Sequence, residues 1–220
     1  MDTIYFNKED NQEYAYIGII PDFINDDSLN FLEYITDFKG GTTSFGNIPR
    51  LQKWYQSDGK YFSKTWKDQD LERWKSNEYE PPLLKLQYNI QDYIDTLDIY
   101  KYMGINKPKI NSCLINKYRD GNDSIRPHRD NQTTFGDNPT VIGISHGDER
   151  EIIFKRIHYN SDRMNSIKPD RDNQQEIRLK LKTGSLFVMA GAIQKYFSHE
   201  IPKTDSNDIR YSMTFRQFYE

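Results

Sequence analysis

The sequence predicts a mainly β protein with flanking helices, an α+β chain whose strands form one antiparallel system, rolled or sandwiched. Three observations predict it. Apolar residues recur at helical spacing in two segments before residue 103, and a period of two replaces that spacing after Lys109. Turn signals then divide the remainder into short strand-like runs as far as residue 218.

Taken in order, Glu13 to Ile20 reads as a strand stopped by Pro21. Asp26 to Phe38 reads as a helix, capped by Asp26, Asp27 or Ser28, with Leu29, Leu32, Ile35 and Phe38 as its apolar stripe and Gly40 and Gly41 ending it. From there to Asn77 the chain is irregular, with turn signals at Gly46, Pro49 and the pair Asp58 and Gly59, which lies between strand-like segments. Pro81 and Pro82 suit a first helical turn, and Leu83, Leu86, Ile90, Ile94 and Leu97 continue that helix to about Tyr102. Both helices are expected to cover one face of the sheet. In NSCLINKY, Ser112, Leu114, Asn116 and Tyr118 share one face, and Cys113, Ile115 and Lys117 the other. Asp120 and Gly121 turn. Val141 to Ser145 and Glu151 to Ile157 predict a hairpin through His146 to Glu149, with His146 a turn residue and His158 a strand end. Asp162 to Gln175 is a polar loop, IRLKL alternates, Lys182 to Ser185 turns, LFVM is a buried run, and Arg210 to Phe218 is the last strand.

A chain of 220 residues suits one domain, or one domain with an N-terminal extension. Hydrophobic residues are only 35%, yet 16 Tyr and 12 Phe supply an aromatic core whose hydroxyls need partners. The mean hydropathy of −0.91 would suit a disordered chain, but alternation and aromatic content oppose that. No run reaches transmembrane length, and MDTIYFNKED has no basic region followed by an apolar one, so a soluble, intracellular monomer is expected. The single Cys113 excludes an internal disulfide and a cysteine-rich zinc site, and reads as buried filler. The net charge of −3 is unevenly spread, since residues 1 to 40 hold nine acidic and two basic side chains. Between Arg50 and Lys75 seven basic and four acidic residues mix with Trp54, Tyr55, Tyr61, Phe62, Trp66 and Trp74. Such a segment can meet phosphates and stack on bases, or it can be a solvated loop pinned by its aromatics.

The stretch NKYRDGNDSIRPHRD, Asn116 to Asp130, carries the chemistry. His128 and Asp130, two apart on extended backbone, can take neighbouring positions on one metal ion. A third ligand must come from afar, and among four histidines His199 in KYFSHEI is the best candidate. Two imidazoles and one carboxylate form the facial set of non-haem Fe(II) oxygenases. In RYSMTFR, Arg210, Ser212, Thr214 and Arg216 point one way and Tyr211, Met213 and Phe215 the other. On a solvated face the arginines have no special meaning. Beside the metal ligands they need anions, and a small dicarboxylate would give each guanidinium a partner.

Asn116-x-Tyr118-x-x-Gly121, the HRD at 128 to 130, His199 and RYSMTFRQ at 210 to 217 resemble the AlkB-type Fe(II)- and 2-oxoglutarate-dependent dioxygenases, in the branch that repairs alkylated nucleic acid. The resemblance covers about residues 45 to 218 and includes IPR at 48 to 50, followed by Tyr55 and the Gly59 turn, in the place of a nucleotide-recognition lid. It implies a double-stranded β-helix, or jelly roll. The divisions expected are an acidic N-terminal extension over 1–44, a lid and supporting helix over 45–110, and the catalytic core over 111–220. It also implies Fe(II) on His128, Asp130 and His199, with 2-oxoglutarate and O2 as cosubstrates. Tyr118 and Arg210 would hold the distal carboxylate of 2-oxoglutarate and Arg216 the nearer one. Asn116 would line the site, and Thr214 would support the cosubstrate or its packing. The implied reaction oxidises an N-methyl carbon of a base in DNA or RNA, with release of succinate, CO2 and formaldehyde. Trp54, Tyr55 and Trp66 would stack on the base or fill its gap, with Arg50 and Lys53 near the nucleic-acid backbone. Asn131 departs from the pattern, because related members can carry an acid there that reads the base. Demethylation of RNA or of a protein side chain, and a non-catalytic nucleic-acid-binding jelly roll, are the competing readings. A zinc hydrolase would leave the two-arginine strand without a purpose.

Overall fold

In the computed structural model, which describes residues 1–43, 46–57, 59–62, 74–159 and 167–219, thirteen strands and a few short helices build three layers. The strands are β1 (Asp2–Lys8), β2 (Tyr14–Ile20), β3 (Thr42–Thr43), β4 (Gly46–Asn47), β5 (Leu51–Gln56), β6 (Ser112–Tyr118), β7 (Ile125–His128), β8 (Val141–Gly147), β9 (Arg150–Arg156), β10 (Glu176–Leu181), β11 (Leu186–Gly191), β12 (Phe197–Ile201) and β13 (Arg210–Arg216). A seven-stranded antiparallel sheet runs β1-β2-β11-β8-β13-β6-β5, and a four-stranded one runs β10-β9-β12-β7; β3 and β4 pair separately. The jelly-roll expectation is corrected by this topology. The sheets are open, each with two edge strands, and neither is closed into a barrel.

One face of the large sheet packs on helices. Leu29 and Leu32 from a 3-10 helix (Asp26–Tyr34), with Ile35 just after it, meet Leu83, Leu86, Ile90 and Ile94 from α1 (Pro81–Thr96) and Tyr100 and Met103 from α2 (Ile99–Met103). Against them lie Cys113, Ile115, Ile142, Ile144, Tyr211, Met213 and Phe215, one alternate set from each strand. The opposite face meets the small sheet through Ile17, Phe187 and Met189 on one side and Ile152, Phe154, Leu179 and Phe197 on the other. Gly143 belongs to this second interface. A Cβ there would lie 1.9 Å from the Phe187 ring, so only glycine lets that ring cross the strand.

Several expectations shift. The segment after Asn25 is a 3-10 helix that stops at Tyr34, its first turn held by Asn25 Oδ1, which accepts from the Ser28 N–H at 3.0 Å. The physical reason is in the stripe itself: Leu29, Leu32 and Ile35 are spaced by three, and in a 3-10 helix i and i+3 eclipse. The second helix breaks at Leu97, and α2 follows, ended by Gly104 in the left-handed region. The hairpin over 141–157 does not form. β8 pairs with β11 and β13 in the large sheet while β9 pairs with β10 and β12 in the small one, so Asp148 and Glu149 carry the chain between layers. His146 is accordingly a buried strand residue of β8 rather than a turn. Strand β1 and the strand β5, inside the segment read as irregular, complete the large sheet's two edges. Asp58, and Asp162 at the head of the polar loop, lie outside the described residues.

Candidate metal and cosubstrate site

The metal-binding group forms where β7 and β12 run side by side. His128 at the end of β7 is the register partner of His199 on β12, and their ring centroids are 4.2 Å apart. Asp130 follows two residues on, and one ligand atom from each of the three lies within 4.8 Å of the others. Burial lowers the pKa of both imidazoles, against the pull of Asp130, so both stay neutral with a lone pair to offer. His128 Nδ1 lies 3.0 Å from the Arg126 carbonyl, a bond that protonates Nδ1 and leaves Nε2 for a metal. For Asp130, burial would raise the pKa, but the charge of the Arg216 guanidinium and its hydrogen bond hold the carboxyl well below the usual range.

The last strand supplies the cations. Arg216 gives Nε to Asp130 Oδ2 at 2.9 Å, Nη2 to Oδ1 at 3.2 Å, and Nη1 to Thr214 Oγ1 at 2.8 Å. Thr214 itself donates to the Leu114 carbonyl at 3.0 Å. Arg210 is wholly buried, and burial lowers its pKa. Its Nη2 reaches Ser145 Oγ at 2.9 Å, whereas Nε and Nη1 meet no hydrogen-bond acceptor among the described residues. The Tyr118 ring lies 5.1 Å from the Arg210 guanidinium and 5.6 Å from that of the equally buried Arg150. A buried guanidinium with unmatched donors is costly, although Tyr118 and the Asp148 carboxylate favour the charged form of Arg210. That observation fits a bound carboxylate at Arg210, and the neutral imidazole pair with an ionised carboxylate fits a divalent iron.

A cavity of about 380 Å³ is lined by His128, Asp130 and His199, by Asn116, Tyr118, Ser212, Thr214 and Arg216, and by Ile48, Phe62, Trp74 and Arg129; the wholly buried Arg210 is not on its wall. Asn116 Oδ1 accepts from Arg50 Nε at 2.9 Å and Gln52 Nε2 at 3.0 Å, and Arg50 Nη1 also reaches the Ser124 carbonyl at 3.3 Å. Arg50 is thus a cavity wall whose pKa burial lowers, rather than a group facing outward. Three other candidates, Trp54, Tyr55 and Lys53, are not on the wall of this cavity. Trp54 is buried, its indole N–H on the Lys60 carbonyl at 3.3 Å and its ring against Phe62, Phe135 and Phe218. Tyr55 points to the helix side of the sheet and donates to Glu80 Oε1 at 2.9 Å. Lys53 Nζ is held at 3.2 Å from both that carboxylate and the Thr36 carbonyl. Trp66 lies outside the described residues. Asn131 does line the cavity, and its Oδ1 caps the helix α3 (Gln132–Phe135) by accepting from the Thr133 and Thr134 N–H groups. Phe62 and Trp74, named in the sequence only as members of the aromatic segment, and Gln52, not singled out there, line the cavity. Alternation along β5 was the available signal, since it puts Gln52 on the face opposite Lys53 and Tyr55.

Fold and site define a class. The chain belongs to the 2OG-Fe(II) oxygenase superfamily, whose family model matches residues 30–216. The His128, Asp130 and His199 group lies inside the matched region. Its relatives are of the AlkB type. The DNA oxidative demethylase ALKBH2 of Arabidopsis thaliana is 29% identical over 120 residues, 49% of this chain and 38% of that protein. The alpha-ketoglutarate-dependent dioxygenase alkB homolog 3 of Bos taurus is 27% identical over 177 residues, 78% of this chain and 52% of that one. Human DNA oxidative demethylase ALKBH2 is 26% identical over 190 residues, covering 84% and 64%. The matches thus span between about a third and two thirds of the length of these relatives. Among solved structures, OsALKBH1 superposes with a TM-score of 0.60 at 12% identity, covering 92% of this chain and 96% of that one. A Pseudomonas putida prolyl-4-hydroxylase gives 0.55 at 10% identity, covering 92% of each. Both likenesses concern the fold. Among the described residues no helix is long and apolar enough to cross a membrane.

Proposed function

We propose that this protein removes N-linked alkyl groups from nucleobases in DNA or RNA by oxidation, coupled to conversion of 2-oxoglutarate to succinate and CO2, with release of formaldehyde. The observation that carries the reading is a single cavity lined both by His128, Asp130 and His199 and by the aromatic side chains of Phe62 and Trp74. The similarity to ALKBH2 and alkB homolog 3 supports nucleic acid as the partner.

His128, Asp130 and His199 would hold Fe(II), which with 2-oxoglutarate and O2 supplies the oxidising equivalent for hydroxylating a C–H bond. Arg210, with two unmatched donor atoms beside Tyr118, would take the distal carboxylate of 2-oxoglutarate. Arg216 carries five N–H donors and its bonds to Asp130 and Thr214 leave at least one for the nearer carboxylate, with Asn116 alongside. Thr214 fixes the Arg216 fork. A base in a duplex reaches such a floor only by flipping out, and an unpaired base enters directly. Phe62 and Trp74 then offer it ring faces, and Asn131, whose oxygen is spent on the helix cap, offers its amide N–H groups. Hydroxylation of the N-methyl carbon gives an N-hydroxymethyl base, whose C–N bond breaks as the hydroxyl proton is lost, leaving formaldehyde and the bare nitrogen.

The test is anaerobic reconstitution with Fe(II), then oxygen, with formaldehyde and succinate measured on N-methylated single- and double-stranded DNA and RNA, and H128A as control. Formaldehyde matched to succinate, absent in H128A, is the expected result and ranks the substrates. Succinate without formaldehyde on every oligonucleotide would sink the nucleobase reading while leaving the oxygenase in place.

A further inference from the structure

The buried carboxamide of Gln194 touches Asp130 twice. The Asp130 backbone N–H donates to Gln194 Oε1 at 2.7 Å, and Gln194 Nε2 donates to Asp130 Oδ2 at 3.3 Å. Oδ2 therefore receives both Gln194 Nε2 and Arg216 Nε, while Oδ1 receives only Arg216 Nη2 at 3.2 Å. A carboxylate oxygen with two donors has spent its in-plane lone pairs, and one with a single donor keeps a lone pair for a metal. We infer that Gln194 is a positioning residue of the metal centre, which fixes the rotation of the Asp130 carboxylate so that Oδ1, rather than Oδ2, is the oxygen presented to the ion.

The turn that carries Gln194 is built to hold it still. Gln194 lies in the four-residue helix α4 (Ile193–Tyr196) directly after β11. Gly191 enters that helix at φ +64°, where a Cβ would come within 2.1 Å of the Tyr14 carbonyl oxygen, so the close approach requires glycine. The same carbonyl accepts from the Ala192 N–H at 2.8 Å. On the far side of Gln194, Lys195 Nζ reaches Glu13 Oε1 at 2.7 Å. The glutamine is thus bracketed by two bonds to Glu13 and Tyr14 at the start of β2. Those residues precede the matched family region, and this path gives the N-terminal strand pair a part in shaping the metal site. A ligand carboxylate held by an outer partner binds its metal more tightly, and removing such partners typically weakens binding 10- to 100-fold.

The experiment loads the 220-residue chain with Co(II), a spectroscopic probe that needs no turnover. Q194M keeps the side-chain volume and removes both hydrogen bonds; Q194A is the companion. The inference expects about tenfold or greater loss of Co(II) affinity in Q194M, with a shift of the visible Co(II) bands. A packing role alone would lower the urea midpoint of the metal-free protein and leave both metal readouts alone. Should both variants fail to fold, hydrogen exchange on the wild type decides, because an Asp130 amide bonded to Gln194 exchanges slowly. Co(II) affinity within twofold of wild type and unchanged bands in folded Q194M, or an Asp130 amide exchanging like exposed backbone, overturns the inference. It rests on the metal site and not on the nucleobase reading, so an inactive oligonucleotide panel leaves it standing.

Discussion

Arg216 and Asp130 form a two-point ion pair, Nε to Oδ2 at 2.9 Å and Nη2 to Oδ1 at 3.2 Å, in which both side chains are almost fully buried. A cation from the end of the last strand therefore orients a metal-ligating carboxylate 86 residues earlier. Removing one member of such a pair leaves the other charged and dry, at a cost of about 3–5 kcal/mol. R216M should lower the urea-unfolding free energy of the metal-free protein by about that amount. R216K, which keeps the charge but loses the fork, should fall between the two.

Arg210 should behave oppositely in the two states of the protein. Its unmatched Nε and Nη1 are a liability without a bound anion. R210M should therefore leave the ligand-free fold at least as stable as wild type. The same change should raise the KM for 2-oxoglutarate by roughly 10- to 100-fold, since charged hydrogen bonds contribute about 1.5–3 kcal/mol each. A large loss of ligand-free stability with an unchanged KM would contradict the assignment.

Aromatic residues near the lid should separate by face. Trp54 is a core residue, so W54A should cost about 3–5 kcal/mol of stability. Y55F should cost about 1 kcal/mol for the lost bond to Glu80, with no change in KM for a methylated oligonucleotide. Phe62 lines the cavity, and F62A should raise that KM several-fold while uncoupled decay of 2-oxoglutarate changes little.

The two ligand histidines should make the metal-free protein acid-sensitive. Burial sets both folded pKa values below the ordinary 6.5, so the unfolded chain binds protons that the folded one refuses. Their contribution is whole above pH 6.5 and is lost as pH falls from there toward the folded values. The urea midpoint of metal-free protein should drop between pH 7.5 and 5.5, and the drop should be smaller in H128Q/H199Q. A bound divalent metal should steepen the pH dependence in the wild type, because protons then compete for its ligands.

Much of the site was legible because a strand's period is local. Alternation puts Arg210, Thr214 and Arg216 on one face of RYSMTFR and Asn116 and Tyr118 on one face of NSCLINKY, and the packing of Tyr211, Met213 and Phe215 against the helices agrees with that division. The spacing of Leu29, Leu32 and Ile35 already carried the tighter 3-10 period, masked by its compatibility with an α-helix over so short a run. Composition places Trp54 and Tyr55 together, although neighbours on a strand face opposite ways.

By itself the sequence determined the alternating faces, the ligand types and the charged pattern of the last strand, because these follow from backbone geometry over a few residues. Only the tertiary structure decided which strands pair. Val141–Gly147 and Arg150–Arg156 look like hairpin partners, yet each gains more by joining a different sheet, where its apolar side chains are buried against strands distant in sequence. The same long-range pairing set His199 opposite His128, left two nitrogens of the buried Arg210 without an acceptor among the described residues, and brought Gln194 against Asp130. Such contacts depend on how two open sheets and a helical layer share one buried volume, and no local spacing encodes that.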